Sequence, residues 1–159
     1  MSNFPRTAFI LGAGLGQRLR PLTENCPKPL LPIANQPMIL RAMEKLRQVG
    51  VQRFIINTHH CPEVWKNTFP EGPWGTAKVD LVYEPTLLET GGGLANIAQY
   101  LSPEDAQLII WNGDILSDCD VKNAYAYHVS NNAEATLIVR EDGPNKNVRI
   151  TQDGLITDI

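Results

Sequence analysis

The chain has 159 residues, of which 43% are apolar and 19% charged, and a formal net charge of −3. That is enough chain for a buried core, and its mild acidity excludes a surface built as a whole for nucleic acid or anionic membrane, so any anion is held by a local site. Cys26, Cys61 and Cys119 are odd in number, far apart and form no CxxC, which argues against a disulfide framework and for a reducing, cytoplasmic setting; no apolar run is long enough to span a membrane.

Thr7–Leu11 (TAFIL) is a short apolar run that ends in glycine, and it predicts a strand. A leader peptide is rejected there, because the run is short, broken by glycines and leads straight into Gln17 and Arg18. A long loop then extends to Pro32. Over residues 37–50, Met38 or Ile39, Ala42, Met43, Leu46 and Val49 recur at helical spacing. Pro37 suits the first turn of that helix and Gly50 its C-terminal cap. Residues 51–58 predict a second strand, 61–69 a short helix opened by Pro62, and 77–84 a third strand. Residues 92–101 predict a helix and 106–114 a fourth strand. Residues 120–131 predict a helix N-capped by Asp120. Residues 134–141 predict a fifth strand, and 147–159 two strands about the Asp153-Gly154 turn.

Strands alternating with helices predict an α/β fold with a doubly wound, mostly parallel sheet. Ligands of such sheets gather at the carboxyl ends of strands, near a topological switch point. Three suggestive segments follow strands: the loop after Leu11, EPTLLETGGG after Tyr83, and NGD after Trp111. One site built from all three is the economical reading. No repeat or linker divides the chain, so residues 1–159 are expected to form a single core. The chain stops within a strand-like stretch, and a fragment of a longer enzyme is expected.

The opening loop, GAGLGQRLRPLTENCPKPLLP, fits neither familiar phosphate loop. The dinucleotide fingerprint and the P-loop both need glycine where Gln17 stands. Pro21, Pro27, Pro29 and Pro32 prevent a long helix from starting at the glycines. Gly12, Gly14 and Gly16 nevertheless let backbone N–H groups approach an anion. Arg18 can fork two hydrogen bonds onto phosphate oxygens. Lys28, between Pro27 and Pro29, has a restricted backbone that limits where its ammonium can go. The loop therefore reads as a wrap for a polyphosphate, against the plainer reading of a glycine turn with solvated cations.

The stretch LGAGLGQRLRPLTENCPKPLLPIANQPMI resembles the signature of the sugar-1-phosphate nucleotidyltransferases, GxGxRLxPLTxxxPKPLxP, almost without a gap from Leu11 to Ile39. The order of the later segments extends the likeness along the chain. The resemblance favours the branch with mannose-1-phosphate guanylyltransferases and N-acetylmuramate-1-phosphate uridylyltransferases, and LETGGG is most similar to the latter. It implies a Rossmann-like core, Mg²⁺ as cofactor, and a nucleoside triphosphate and a sugar 1-phosphate as substrates. It also implies the reaction: a sugar-phosphate oxygen attacks the α-phosphate in line and pyrophosphate leaves, with positioning and charge stabilisation as the catalytic means.

Residue by residue, the resemblance makes Arg18 the grip on the triphosphate and Lys28 the bridge near the α-phosphate. It places Leu11, Gly12, Ala13, Gly14 and Gly16 beside the nucleoside and phosphates, and Glu84, Thr90 and Gly91 beside the nucleoside. Asp114 resembles the metal-binding aspartate, although alone it reads better as a turn residue; Mg²⁺ suits such a carboxylate because it keeps waters and bridges phosphates. No counterpart of the family's second aspartate is found before Ile159. Glu89 departs from the commoner glycine at its position. Arg20 reads as a solvated arginine. His59 and His60 lack a third ligand at sensible spacing for zinc. His128 reads as an ordinary helix residue, and packing roles are expected for at least two of Trp65, Trp74 and Trp111. A nucleotide-binding module without turnover and a phosphocholine cytidylyltransferase are the competing readings.

Overall fold

A computed structural model of the chain describes residues 4–140 and 147–158. Their contacts divide into two compact units, one up to Cys119 and one from Asp120 onward.

The first unit is built on four parallel strands. β1 (Thr7–Leu11), β4 (Arg53–Thr58), β5 (Lys78–Tyr83) and β6 (Ile109–Asn112) lie in the order β5-β4-β1-β6. The chain runs outward from β1 through β4 to β5, then returns to the other side of β1 for β6. The switch point therefore falls between β1 and β6, where Leu11 and Asn112 are register partners at the carboxyl ends. The central strands read as near-continuous apolar runs because both their faces are buried. Ala8, Phe9 and Ile10 on β1, and Phe54, Ile55 and Ile56 on β4, are 0% exposed.

Helix α1 (Met38–Val49) follows a small hairpin of β2 (Pro32–Ile33) and β3 (Gln36–Pro37). Met38, Ile39, Ala42, Met43 and Leu46 make its buried stripe. α2 (Pro62–Thr68) contributes Trp65, which is fully buried and stacks on Phe69. α3 (Glu89–Ile97) contributes Ile97, which packs with Phe9, Ile55 and Val82 on one face of the sheet. The hairpin and the single-turn helices at Gln17–Leu19 and Lys28–Leu30 escape a reading based on periodicity, being too short to show one. α3 begins before the predicted residue 92 and tightens into a 3₁₀ turn at Ala98–Tyr100.

The second unit holds α4 (Val121–Ser130), capped as expected by Asp120, whose carboxylate accepts the Asn123 N–H at 3.0 Å. It also holds β7 (Arg149–Ile150) and β8 (Ile156–Asp158), paired antiparallel about the expected turn. The expected fifth strand is corrected. Residues 134–140 carry no strand, and residue 141 lies outside the described residues. The local β-propensity of TLIV is real, but a strand needs a partner for its N–H and C=O groups. Among the described residues nothing pairs with this run, and Leu137, Ile138 and Val139 remain exposed. No helix among the described residues is long and apolar enough to cross a membrane.

The amino ends of the strands are closed by charge. Arg53 Nε bonds Asp80 Oδ2 at 2.7 Å, Lys78 Nζ meets Asp80 Oδ1 at 2.9 Å, and Arg53 Nη1 lies 3.6 Å from Asp105. Thr7 donates its hydroxyl to Asp105 as well. Burial pushes both carboxyls up, but the bonds from Lys78 and Arg53 to Asp80, and from Thr7 and Ser102 to Asp105, outweigh it and hold both below the ordinary range. A depressed carboxylate stabilises the fold above its unfolded pKa, and that stability is lost as pH falls through the lower, folded value. Urea midpoints should therefore hold steady at neutral pH and decline below about pH 4. Asp80→Asn should lower the neutral midpoint and flatten the acid decline.

Candidate functional site

At the carboxyl ends of β1, β4 and β6 the chain surrounds a cleft of ≈ 670 Å³. One wall is the opening loop, Leu11 through Leu19. A second is Lys28 and Pro29, with Asn112 and Asp114 from the β6 end. A third is Asn57, Leu87, Glu89 and Thr90. The three post-strand segments do meet in one cavity.

The loop is shaped by two close approaches. A Cβ on Gly12 would lie 2.7 Å from the Asn57 carbonyl oxygen and 2.8 Å from the Trp65 ring, so only glycine fits between β4 and α2 there. Gly16 adopts φ 62°, a left-handed conformation that costs glycine little. Its carbonyl accepts the buried Thr23 hydroxyl at 2.8 Å, which folds the loop back on itself. The single turn Gln17–Leu19 then carries Arg18, which is exposed and lines the cleft. Among the described residues, the amide N–H groups of Ala13, Gly14, Leu15, Gly16 and Gln17 bond nothing within the protein, so they are free to meet an anion.

Lys28 opens the turn Lys28–Leu30, held by the buried Pro29 and Leu30. Its Nζ lies 2.5 Å from Asp114 Oδ2, with the two side chains 31% and 33% exposed. The pair brings together residues 86 positions apart. Both groups face water in part, so the pair adds little stability. Its value is placement: the cation is held over the cleft, and the carboxylate keeps its other oxygen for a second partner.

Asn57 is the site residue that sequence reasoning missed. Its Oδ1 accepts the Gly12 N–H at 2.8 Å, and its Nδ2 donates to Glu84 Oε1 at 2.8 Å. A backbone N–H only donates and a carboxylate accepts, so both partners fix the same amide orientation. The available signal was a polar residue near the end of an otherwise apolar strand. Glu84 itself is 0% exposed and does not line the cleft. Its second oxygen accepts the Leu88 N–H at 3.3 Å, so it braces the turn into α3 from behind. Gly91 also lies off the lining. Leu11, Gly12, Ala13, Gly14, Gly16, Arg18, Lys28, Thr90 and Asp114 are all on it.

The histidines have ordinary employment. His59 Nδ1–H donates to the Glu84 carbonyl at 2.7 Å, and His60 Nε2–H to the Thr23 carbonyl at 2.8 Å. His128 bonds Thr136 Oγ1 at 2.9 Å. Trp74 sits edge-on to Phe54, and Trp111 donates to the Ile115 carbonyl at 3.2 Å. With Trp65 in the core, no tryptophan lines the cleft.

The donor set fits Mg²⁺ in a limited way. Asp114 presents a hard carboxylate oxygen at a strand end, and among the described residues no cluster of metal-ligating side chains surrounds it. Mg²⁺ tolerates this because it keeps several waters and takes phosphate oxygens as ligands.

The sheet order, the cleft at its switch point and the cationic signature loop define an α/β core of parallel strands with a cleft at their carboxyl ends. The chain belongs to the nucleotidyl transferase family, whose model matches residues 7–149. A mannose-1-phosphate guanylyltransferase of Mycobacterium tuberculosis is 37% identical over 138 residues, covering 86% of this chain. Mannose-1-phosphate guanylyltransferase 1 of Arabidopsis thaliana is 35% identical over 142 residues, covering 87%. This chain spans 38% and 39% of those two relatives' lengths. Among solved structures, HddC from Yersinia pseudotuberculosis, also crystallised with GMP-PN, superposes with a TM-score of 0.68 at 30% identity, over 78% of this chain and 54% of its own. A UDP-glucose pyrophosphorylase from Acinetobacter baumannii, at TM-score 0.71 and 16% identity over 82% of this chain and 54% of its own, shares the fold. The Rossmann-like architecture expected from the sequence is thus established.

Glycine positions separate tightness from openness. Gly12→Ala must displace Asn57 or Trp65 and should cost about 1–3 kcal/mol in urea denaturation. Gly14→Ala, with nothing within 4 Å of its new Cβ, should leave the midpoint unchanged within about 0.5 kcal/mol.

Proposed function

We propose that this chain transfers a nucleotidyl group from a nucleoside triphosphate to a sugar 1-phosphate, releasing pyrophosphate. The observation that carries the proposal is the convergence of Arg18, Lys28, Asp114 and a run of free amides on one cleft. In this reading the amides of residues 13–17 and the Arg18 guanidinium hold the β- and γ-phosphates and stabilise charge on the leaving pyrophosphate. Lys28 leans toward the α-phosphate, where charge develops as the sugar-phosphate oxygen arrives. Leu11, Gly12 and Thr90 border the nucleoside, while Asn57 and Glu84 hold that wall in register from behind. Asp114 would hold Mg²⁺, which when bound neutralises phosphate charge. No covalent enzyme intermediate is required, so positioning by these residues is the catalytic contribution.

The names of the relatives make GTP with mannose 1-phosphate the first pair to test. UTP with N-acetylmuramic acid 1-phosphate is the second, on the likeness of LETGGG. The phosphocholine reading has weaker support, because the cleft presents no tryptophan, tyrosine or phenylalanine to a quaternary ammonium.

Pyrophosphate release measured over a matrix of four nucleoside triphosphates, several sugar 1-phosphates and phosphocholine, with Mg²⁺, tests the proposal. One pair should turn over, and Arg18→Ala, Lys28→Ala and Asp114→Asn should each lower kcat/KM by about 10²–10³. Nucleotide binding without turnover for any pair would instead make the chain a binding module.

A further inference from the structure

Outside the cleft, the long loop after Arg18 is fastened to the turn between β4 and α2 by a compact group of side chains. His60 Nε2 lies 2.8 Å from the Thr23 carbonyl oxygen and 3.2 Å from Cys61 Sγ. A carbonyl only accepts, so Nε2 carries the proton, and the same N–H can serve the sulfur. Cys61 itself stands at φ 50° just ahead of α2, and its thiol donates to the Glu24 carbonyl at 3.7 Å. Two residues further along the loop, Cys26 turns its thiol onto the Pro27 carbonyl at 3.7 Å. Both cysteines are partly exposed. The Cys61 thiol rests against the loop backbone two residues before Cys26, and burial, with the charge of a Cys61 thiolate, pushes the Cys26 thiol up.

We propose that Cys61 and Cys26 are a peroxide-responsive pair, with Cys61 the reacting thiol and Cys26 its resolving partner, and that their disulfide ties the signature loop to the β4–α2 turn. The roles follow from surroundings. Cys61 has an imidazole N–H beside it that can donate to a thiolate, and it is open in part to solvent. Cys26 keeps its thiol on the Pro27 carbonyl and reacts second. In the first step the Cys61 thiolate attacks one oxygen of a hydroperoxide and the O–O bond breaks. Sulfur is oxidised to a sulfenic acid, and the peroxide leaves reduced to hydroxide or alkoxide, which takes up a proton. In the second step the Cys26 thiolate attacks the Cys61 sulfur, the S–S bond forms, and the sulfenic oxygen leaves as hydroxide to be protonated to water. Cys26 is two residues before Lys28, and Thr23 holds the Gly16 carbonyl. Drawing Cys26 onto Cys61 therefore strains the segment that sets both phosphate-binding cations. The effect on nucleotide rests on the proposed function; the disulfide itself does not.

The test oxidises the chain with stoichiometric hydrogen peroxide and maps its peptides without reduction, while calorimetry follows GTP binding. A peptide linking Cys26 to Cys61 within one chain should form and be released by dithiothreitol. Cys26→Ser should instead accumulate a dimedone-reactive sulfenic acid at Cys61, and Cys61→Ser should give neither product. Cys119→Ser should behave as the parent. GTP affinity should weaken by about tenfold in the oxidised parent and recover on reduction. Preferential oxidation of Cys119, linkage only between chains, or over-oxidation of Cys61 without a link would overturn the pair. A link that leaves GTP affinity unchanged would overturn its coupling to the loop. Failure of the reduced chain to bind GTP, with the disulfide still forming, would count against the proposed nucleotide preference and not against the thiol pair.

Discussion

The Asn57 side chain is the contact on which the site's arrangement depends. One buried amide accepts from the first glycine of the signature loop and donates to a buried carboxylate at the end of the neighbouring strand. Asn57 and Glu84 are both buried, so leaving any partner unmet would expose the structure to the full desolvation cost of that group. Their mutual satisfaction fixes three strand ends relative to one another. The glycine at position 12 exists because the Asn57 backbone and the Trp65 ring come too close for any other residue.

From that fixed point the loop is held in stages. Thr23 returns to Gly16, His60 grips Thr23, and the turn at Lys28 is seated by Pro29 and Leu30. Each anchor uses backbone carbonyls or buried side chains, and none uses Arg18 or the amides of residues 13–17. Those groups stay unengaged because the scaffold is satisfied without them. In the proposed reading, such a surface keeps little of its capacity for an anion tied up in the free protein, which is the sense in which it is preorganised.

The sheet separates its two ends chemically. The amino ends of β1, β4 and β5 carry a closed charge cluster of Arg53, Lys78, Asp80 and Asp105, in which every member is paired. Among the described residues, the carboxyl ends carry Arg18 without a protein partner and Lys28 sharing a single carboxylate. Paired charge at one end serves the fold, and incompletely paired charge at the other is what the proposed function draws on. The rest of the cationic loop is not interchangeable with this: Arg20 lies off the cleft lining, consistent with its reading as a solvated arginine.

The sequence by itself determined the signature loop, the parallel α/β alternation, the helix limits marked by Pro37 and Gly50, and the capping aspartate of α4. These are local in origin: proline and glycine restrict the backbone where they stand, and periodicity reports which face a segment buries. Only the tertiary structure decided that Lys28 meets Asp114, that Asn57 belongs to the site, and that Glu84 braces the wall from behind. The same holds for residues 134–140, where β-propensity without a partner among the described residues gave no strand. Strand pairing and buried polar satisfaction depend on groups tens of residues away, and no local pattern encodes which distant group will arrive.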